Sequence, residues 1–403
     1  MRICLVSREY PIADHGGGIG TYTEKTARAL VALGHTVDVL TEATAEPSVS
    51  VVDGVTVHFL DRSPATRLRT LARAWAVDRA IRRLTAPPQV VQACEFGAEA
   101  VLYSLRRPRS AKLVTRLATP SFAVRELNQH GVDSGLLPRL LLDVLERVQT
   151  RRSDAITSIS QAIADVVCER WNISPDRVTA LKTGVDFHMR FASQASGLPS
   201  ELEGQRFVLF FGRLEERKGV HVLARALTGV MDDHPELHAV FAGNAATYQG
   251  RPMDDYVRGC NPMHLDRLHF LPRQPQRDLF GLLAHARLVV LPSLWEGLGN
   301  VALEALDMGK PIVATSGSGF SDVIEDGLSG VLVPPGDVEA LGAALSRLLD
   351  DTELSERLAR GALDRARSFE LTSVAADLVS LYQRLVAQPA ASSRGFLAQR
   401  RRR

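Results

Sequence analysis

The sequence predicts an α/β fold class: two tandem, doubly wound domains facing a common cleft. Three observations carry this. Apolar runs of strand length alternate with amphipathic helical stretches along most of the chain, the βαβ pattern of a parallel sheet. The alternation falters once, near the middle, and then begins again. And 403 residues exceed what one hydrophobic core ordinarily serves.

Taken in order, "RICLVS" opens the first series, its continuous apolar character marking a strand covered on both faces. "DHGGGIGTYTEKTARALVALGH" follows, with Gly16, Gly17, Gly18 and Gly20 ahead of a helix expected to begin near Thr21. "HTVDVL", "VTVHFL", "QVVQAC", "KLVTRL" and "DAITSIS" are the next strands, with helix-compatible segments among them, so residues 1–186 make a Rossmann-like first domain. Gly, Pro and Ser then collect without periodicity, and residues 187–205 read as a linker. "RFVLFFG", "LHAVFAG", "RLHFL", "ARLVVLPS", "KPIVAT" and "GVLVPPGD" repeat the architecture over residues 206–370. "LTSVAADLVSLYQRL" is a helix within residues 371–388, and residues 389–403 form a basic tail expected to be disordered. Open sheets of this kind bind ligands at the carboxyl ends of their strands, so the chemistry is expected between the domains.

Composition narrows the function. A formal net charge of +2 supplies no global field for nucleic acid. Two basic concentrations are local: "RLRTLARAWAVDRAIRR", Arg67 to Arg83, and the closing "RRRR" from Arg400. They read as a solvated helix face and a tail, with peripheral contact to an anionic membrane as the alternative. Cys4, Cys94, Cys168 and Cys260 lie far apart with no C-x-x-C spacing, against a disulfide framework or a structural zinc site. No apolar run reaches the roughly eighteen residues of a membrane span, and Arg8 and Glu9 come too early for a signal-peptide core, so a cytoplasmic location is expected.

The stretch "PSLWEGLGNVALEALDMGKPIVAT" sets Glu296 and Glu304 on either side of a glycine-bearing turn. "RLVVL" before it is a strand, Asn300 the expected helix N-cap, and Gly309 lies near the C-cap. A helix start offers unpaired N–H groups and partial positive charge, and Gly297 and Gly299 admit a ligand to the backbone, which suits a diphosphate. Carboxylates beside a diphosphate are costly unless they accept from hydroxyls, and the sugars of a nucleoside-diphosphate sugar supply those. In "FVLFFGRLEERKG" a strand ends at Gly212, and Arg213 and Lys218 follow as cations that could neutralise a departing diphosphate. An isolated glutamate pair, a surface basic loop or a bare glycine run would each be unremarkable alone; here they coincide.

These motifs together, "EGLGNVALE" as E-x7-E, "GRLEERKG", "GGGIGTYTEKTARALVALGHTVDVLT" and "TGVD", resemble the family 4 retaining glycosyltransferases of the GT-B fold over nearly the whole chain. The resemblance implies that Glu296 contacts the donor sugar and Glu304 the ribose hydroxyls. It implies that Arg213 and Lys218 bind the diphosphate, that Gly17 and Gly18 line the junction of donor and acceptor, and that the amides near Leu298, Gly299 and Asn300 lie beside the donor. Arg213, Lys218 and Glu296 are the expected catalytic residues. The helix of residues 371–388 resembles the family's terminal helix, which crosses back onto the first domain. The donor would be a UDP- or GDP-sugar, the acceptor is undefined, and a monomer or weak dimer is expected. No D-x-D stretch is present to hold a divalent cation, so neither a metal nor another cofactor is expected.

The chain departs from the family pattern at Ala118, where a histidine is usual after the strand "KLVTRL". Alanine can neither hydrogen-bond an acceptor hydroxyl nor shuttle its proton. Thr183 stands where asparagine is usual, and Pro272 and Arg273 where glycine is frequent, near the expected nucleotide base. Two alternatives therefore stand beside a transferase: a degenerate relative that binds nucleotide sugars without turnover, or a sugar-nucleotide epimerase on the same architecture.

Overall fold

The structure is a computed structural model, and it describes residues 1–11, 18–43, 46–62, 69–108, 110–127, 136–186 and 198–388. The first sheet holds β1 (Arg2–Val6), β2 (Thr36–Glu42), β3 (Ser48–Val52), β4 (Val55–Leu60), β5 (Val90–Cys94), β6 (Lys112–Leu117), β7 (Ala155–Ser158) and β8 (Val178–Ala180). Their order is β3-β4-β2-β1-β5-β6-β7-β8, parallel throughout except for β3 against β4. After β9 (Arg206–Phe211) and β10 (Leu237–Ala242), a short antiparallel hairpin pairs β11 (Thr247–Tyr248) with β12 (Arg251–Pro252). The second sheet continues with β13 (Leu268–Leu271), β14 (Leu288–Leu291), β15 (Ile312–Thr315) and β16 (Val331–Val333). Its order is β13-β10-β9-β14-β15-β16, all parallel.

The apolar runs become strands because both faces are covered. β6, β14 and β15 are buried at every residue, and separate apolar clusters pack on the two sides of each sheet. β3 differs. It is a solvated edge with Val49 and Val51 exposed, turned back on β4 through Asp53 and Gly54, and it is not among the strands expected from the sequence.

Strand order reverses direction between β1 and β5 in the first sheet and between β9 and β14 in the second. Those reversals are where connections leave in opposite directions and a crevice opens at the strand ends. The expected linker overlaps the second core at its end: residues 187–197 lie outside the described residues, while Leu202 is buried among Phe207, Leu209 and Leu282. Val185 and Glu370 pair where the chain passes between domains in both directions. The helix Leu371–Ala387 then lies on the first domain, with Leu378, Leu381, Tyr382 and Leu385 against Ile3, Leu5 and Leu30. The tail of residues 389–403 lies outside the described residues.

The arginine-rich helix runs Arg69–Arg83, and its solvated-face reading needs correction. Arg73 is buried and its Nε donates to Glu99 at 2.9 Å, while Arg82 and Arg106 both pair with buried Asp78 at 3.1 Å. Two of these arginines thus neutralise interior carboxylates.

Candidate active site

The two reversals open on one cavity of about 400 Å³, lined by the ends of β1 and β5 on one side and by Lys218 and Glu296 to Val301 on the other. The helix Gly18–Ala32 begins three residues earlier than the expected Thr21, and its start faces the start of the helix Asn300–Asp307. A Cβ placed on Gly18 would sit 3.7 Å from Asn300 Nδ2. Gly17 and His15 lie outside the described residues.

The N-cap of the second helix is Gly299, not Asn300, which is its first helical residue. Gly299 has φ of 80°, and a Cβ there would come within 2.1 Å of the Phe320 ring, so only glycine fits the turn. The amides of Asn300 and Val301 therefore start directly at the cavity, while Ala302 N–H donates to the Gly299 carbonyl at 2.9 Å. Gly309, with φ of 61°, follows the C-cap Met308 as expected.

Glu296 and Lys218 come from different loops, stitched together where Leu294 N–H donates to Arg217 O at 2.8 Å. Gly219 makes this possible, since a Cβ there would overlap the Pro292 carbonyl at 1.8 Å. The Lys218 ammonium donates to Glu296 Oε1, which also accepts from Ser293 Oγ at 3.0 Å and from Arg217 Nη1 at 3.5 Å. Glu296 is 6% exposed, so this pair is nearly desolvated.

Glu304 lies on the helix Asn300–Asp307, beside Lys25 of the first domain. Burial pushes its carboxyl up to about 7, with Lys25 partly opposing, and none of the described residues donates a hydrogen bond to it. Arg213 does not reach the cavity: its guanidinium is largely solvated and pairs with Glu215 at 3.2 Å. The nearer arginine is Arg217, which bridges Glu215 at 2.8 Å to Glu296. Its place in the "EERKG" run carried no signal to single it out.

Ala118 lines the cavity at the end of β6. Its N–H donates to both oxygens of the buried Glu95 carboxylate at 2.9 Å, and its carbonyl accepts from Thr119 Oγ1 at 2.5 Å. Burial raises the Glu95 carboxyl, against the hydrogen bonds that Cys94 and Ala118 supply. Beyond these, Tyr22, Gln92, Arg116 and Thr183 line the same wall, joined by Gln92 Nε2 to Tyr22 at 3.2 Å and Arg116 Nη2 to Thr183 Oγ1 at 2.8 Å. Tyr382 of the terminal helix donates to Gln92 Oε1 at 2.7 Å.

The domains touch around the cavity. Ser160 Oγ donates to the Gly297 carbonyl, Gln161 N–H donates to the Asp322 carboxylate at 3.1 Å, and Trp295 packs on the first-domain cluster around Leu117 and Ile163.

Two parallel sheets meeting at their switch points define the GT-B class. Its solved members match over the whole length: sucrose-phosphate synthase from Thermosynechococcus elongatus, at TM-score 0.74 and 20% identity, with 96% of this chain and 99% of that chain covered. HepE from Anabaena, solved with UDP and glucose, matches at TM-score 0.67 and 19% identity, with 95% and 99% covered. The model described as Glycosyltransferase Family 4 matches residues 16–188, and that of Glycosyl transferases group 1 matches residues 198–365. Glycogen synthase of Mycobacterium tuberculosis is 30% identical over 407 residues, 95% of this chain and 94% of that protein. The chain belongs to the family 4 glycosyltransferases, and it is a glycosyltransferase enzyme of nucleotide-sugar type.

Proposed function

We propose that the cavity holds a nucleoside-diphosphate sugar and transfers its sugar, with retention at the anomeric carbon, to an acceptor hydroxyl or amine entering along the first domain. The observation that carries this is the meeting of both switch points on one cavity, with the Lys218–Glu296 pair and the Gly299 helix start on one wall. The amides of Leu298, Gly299 and Asn300 receive the diphosphate, and Lys218 exchanges part of its bond with Glu296 for the phosphate charge. Glu296 then accepts from hydroxyls of the donor sugar and Glu304 from the ribose. Gly18 closes the junction from the first domain. Arg213 reaches the diphosphate only by turning from Glu215, so Lys218 carries the larger share.

The step breaks the bond from the anomeric carbon to the leaving phosphate oxygen and forms the bond from that carbon to the acceptor on the same face. The acceptor's proton passes to the leaving oxygen. Protein cations and helix amides provide the charge compensation, and the scheme calls on no metal and no protein nucleophile. Ala118 fits it, since only its backbone would be needed there. HepE, solved with UDP and glucose, makes a UDP-sugar the first donor to test.

No helix among the described residues is long and apolar enough to cross a membrane. With Arg73 and Arg82 committed to internal carboxylates, a cytoplasmic, soluble acceptor is the reading preferred here over an anionic membrane surface.

A panel of UDP-, GDP- and ADP-sugars tests the proposal by thermal shift, because a ligand that binds only the folded chain raises its stability by about 2.7 kcal/mol at a hundred times its Kd. One class of donor should raise the melting temperature of the wild type. A panel in which none does so would contradict the proposal. The second reading, binding without turnover, has Ala118 as its only support, and donor hydrolysis without acceptor would remove it.

A further inference from the structure

Arg116 stands on β6 and is 4% exposed, yet it lines the cavity. Among the described residues its guanidinium has no carboxylate partner. One nitrogen donates to Thr183 Oγ1, and the plane lies 3.8 Å from the centre of the Tyr22 ring. Both of these partners are neutral. Glu95, whose N–H donates to the Arg116 carbonyl at 3.2 Å, has its carboxylate committed to the Ala118 amide and the Cys94 thiol. Arg116 lines the cavity together with Thr183 and Tyr22.

The contrast with Arg73 is informative. That arginine is as deeply buried but pairs with Glu99, which is how an interior guanidinium is ordinarily compensated. Arg116 is instead oriented by a hydroxyl and an aromatic face, and its residue lines the cavity. A guanidinium fork is shaped for two oxygens of a phosphate or carboxylate.

On the transferase reading the donor diphosphate is seated across the cavity, at Lys218 and the Asn300 helix start. Arg116 lies on the opposite wall, two residues from Ala118. We infer that Arg116, fixed by Thr183 and Tyr22, is a subsite for an anionic group of the acceptor, so that the substrate class is a phosphorylated or carboxylated sugar or polyol. This rests on the transferase reading and deepens it. Tyr382 and Gln92 support the same wall from behind, since their hydrogen bonds hold the Tyr22 hydroxyl.

Calorimetry on the full chain tests it, with the tightest-binding nucleoside diphosphate first added to saturation and glycerol 2-phosphate then titrated, glycerol serving as the uncharged control. The wild type should bind glycerol 2-phosphate and not glycerol. Arg116→Gln should weaken that binding at least tenfold while the nucleoside diphosphate affinity changes less than twofold. Arg116→Lys keeps the charge, loses the fork, and should weaken it about three- to tenfold, which decides the matter should the glutamine variant melt early. Equal glycerol 2-phosphate affinity in the wild type and both variants would overturn the subsite. A tenfold loss of nucleoside diphosphate affinity, with the phosphate probe competing for its place, would assign Arg116 to the donor and also overturn it. Failure of the wild type to bind any nucleoside diphosphate would strike the transferase reading first.

Discussion

At Glu304, burial favours the neutral carboxyl whereas donor hydroxyls favour the ionised one. Its folded value, near 7, lies above the ordinary 4.5, so the neutral form contributes stability that is fully present below about pH 4.5 and is lost as pH rises through 7. Donor binding should then release a proton near neutral pH and strengthen as pH rises through about 7. Glu304→Gln is expected to flatten that dependence, to raise the melting temperature of the ligand-free chain at pH 8, and to weaken the donor by roughly 10- to 100-fold, as the loss of a charge-assisted bond of about 1.5–3 kcal/mol implies. Calorimetry in two buffers of different ionisation enthalpy reads both effects; an unchanged affinity and proton count would take Glu304 out of the site. Lys218→Ala leaves Glu296 with Ser293 and Arg217, so the fold should persist while turnover falls about 10²- to 10³-fold. Near-normal turnover would place that lysine outside the reaction. Glu296 and Lys218, which line the cavity, stand out in the sequence because their spacing to the glycines is local, whereas Glu304 is not among the lining residues. Arg116 was not legible: within "KLVTRL" it reads only as a break in an apolar run, and its lack of a carboxylate partner among the described residues depends on strands far apart in the sequence.

At the scale of elements, the helix Asn300–Asp307 aims its amides into the cavity because Gly299 turns the chain with positive φ against Phe320. Gly299→Ala should cost about 1–2 kcal/mol from the backbone alone, with a further loss as Phe320 is displaced, and it should weaken the donor by misplacing the helix start. Unfolding and donor titration of the variant check this, and wild-type values for both would contradict it. The sequence showed the helix and its glycines but placed the cap one residue late, since asparagine is the commoner cap and positive φ leaves no trace in residue type beyond glycine itself. β3 escaped notice for another reason. "SVSVVDGVTV" carries a short Ser/Val alternation and the Asp-Gly turn signal of a hairpin, but it directly precedes the stronger apolar run of β4, which drew the strand assignment. In the Arg69–Arg83 helix, charge counting missed that Arg73 and Arg82 serve buried Glu99 and Asp78, because the partner acids lie outside or on the inner face of the helix.

For the whole molecule, the two-sheet plan was legible from the repeated strand series, while the return of the helix Leu371–Ala387 to the first domain came only from family resemblance. Its apolar residues mark it as amphipathic without saying which domain they cover. That return matters to the account: Tyr382 reaches Gln92, which touches Tyr22, so the helix that follows the second domain braces the first-domain wall of the cavity. The central claim is that this cavity joins a nucleotide-sugar donor and an acceptor for same-face transfer. The most direct measurement incubates the chain with the α-linked nucleotide sugar that stabilises it most, without acceptor, and follows the anomeric proton of the released sugar by NMR before mutarotation. The account predicts that the α-anomer appears first, in step with nucleoside diphosphate, and that Lys218→Ala slows both together. Release of the β-anomer first would contradict it.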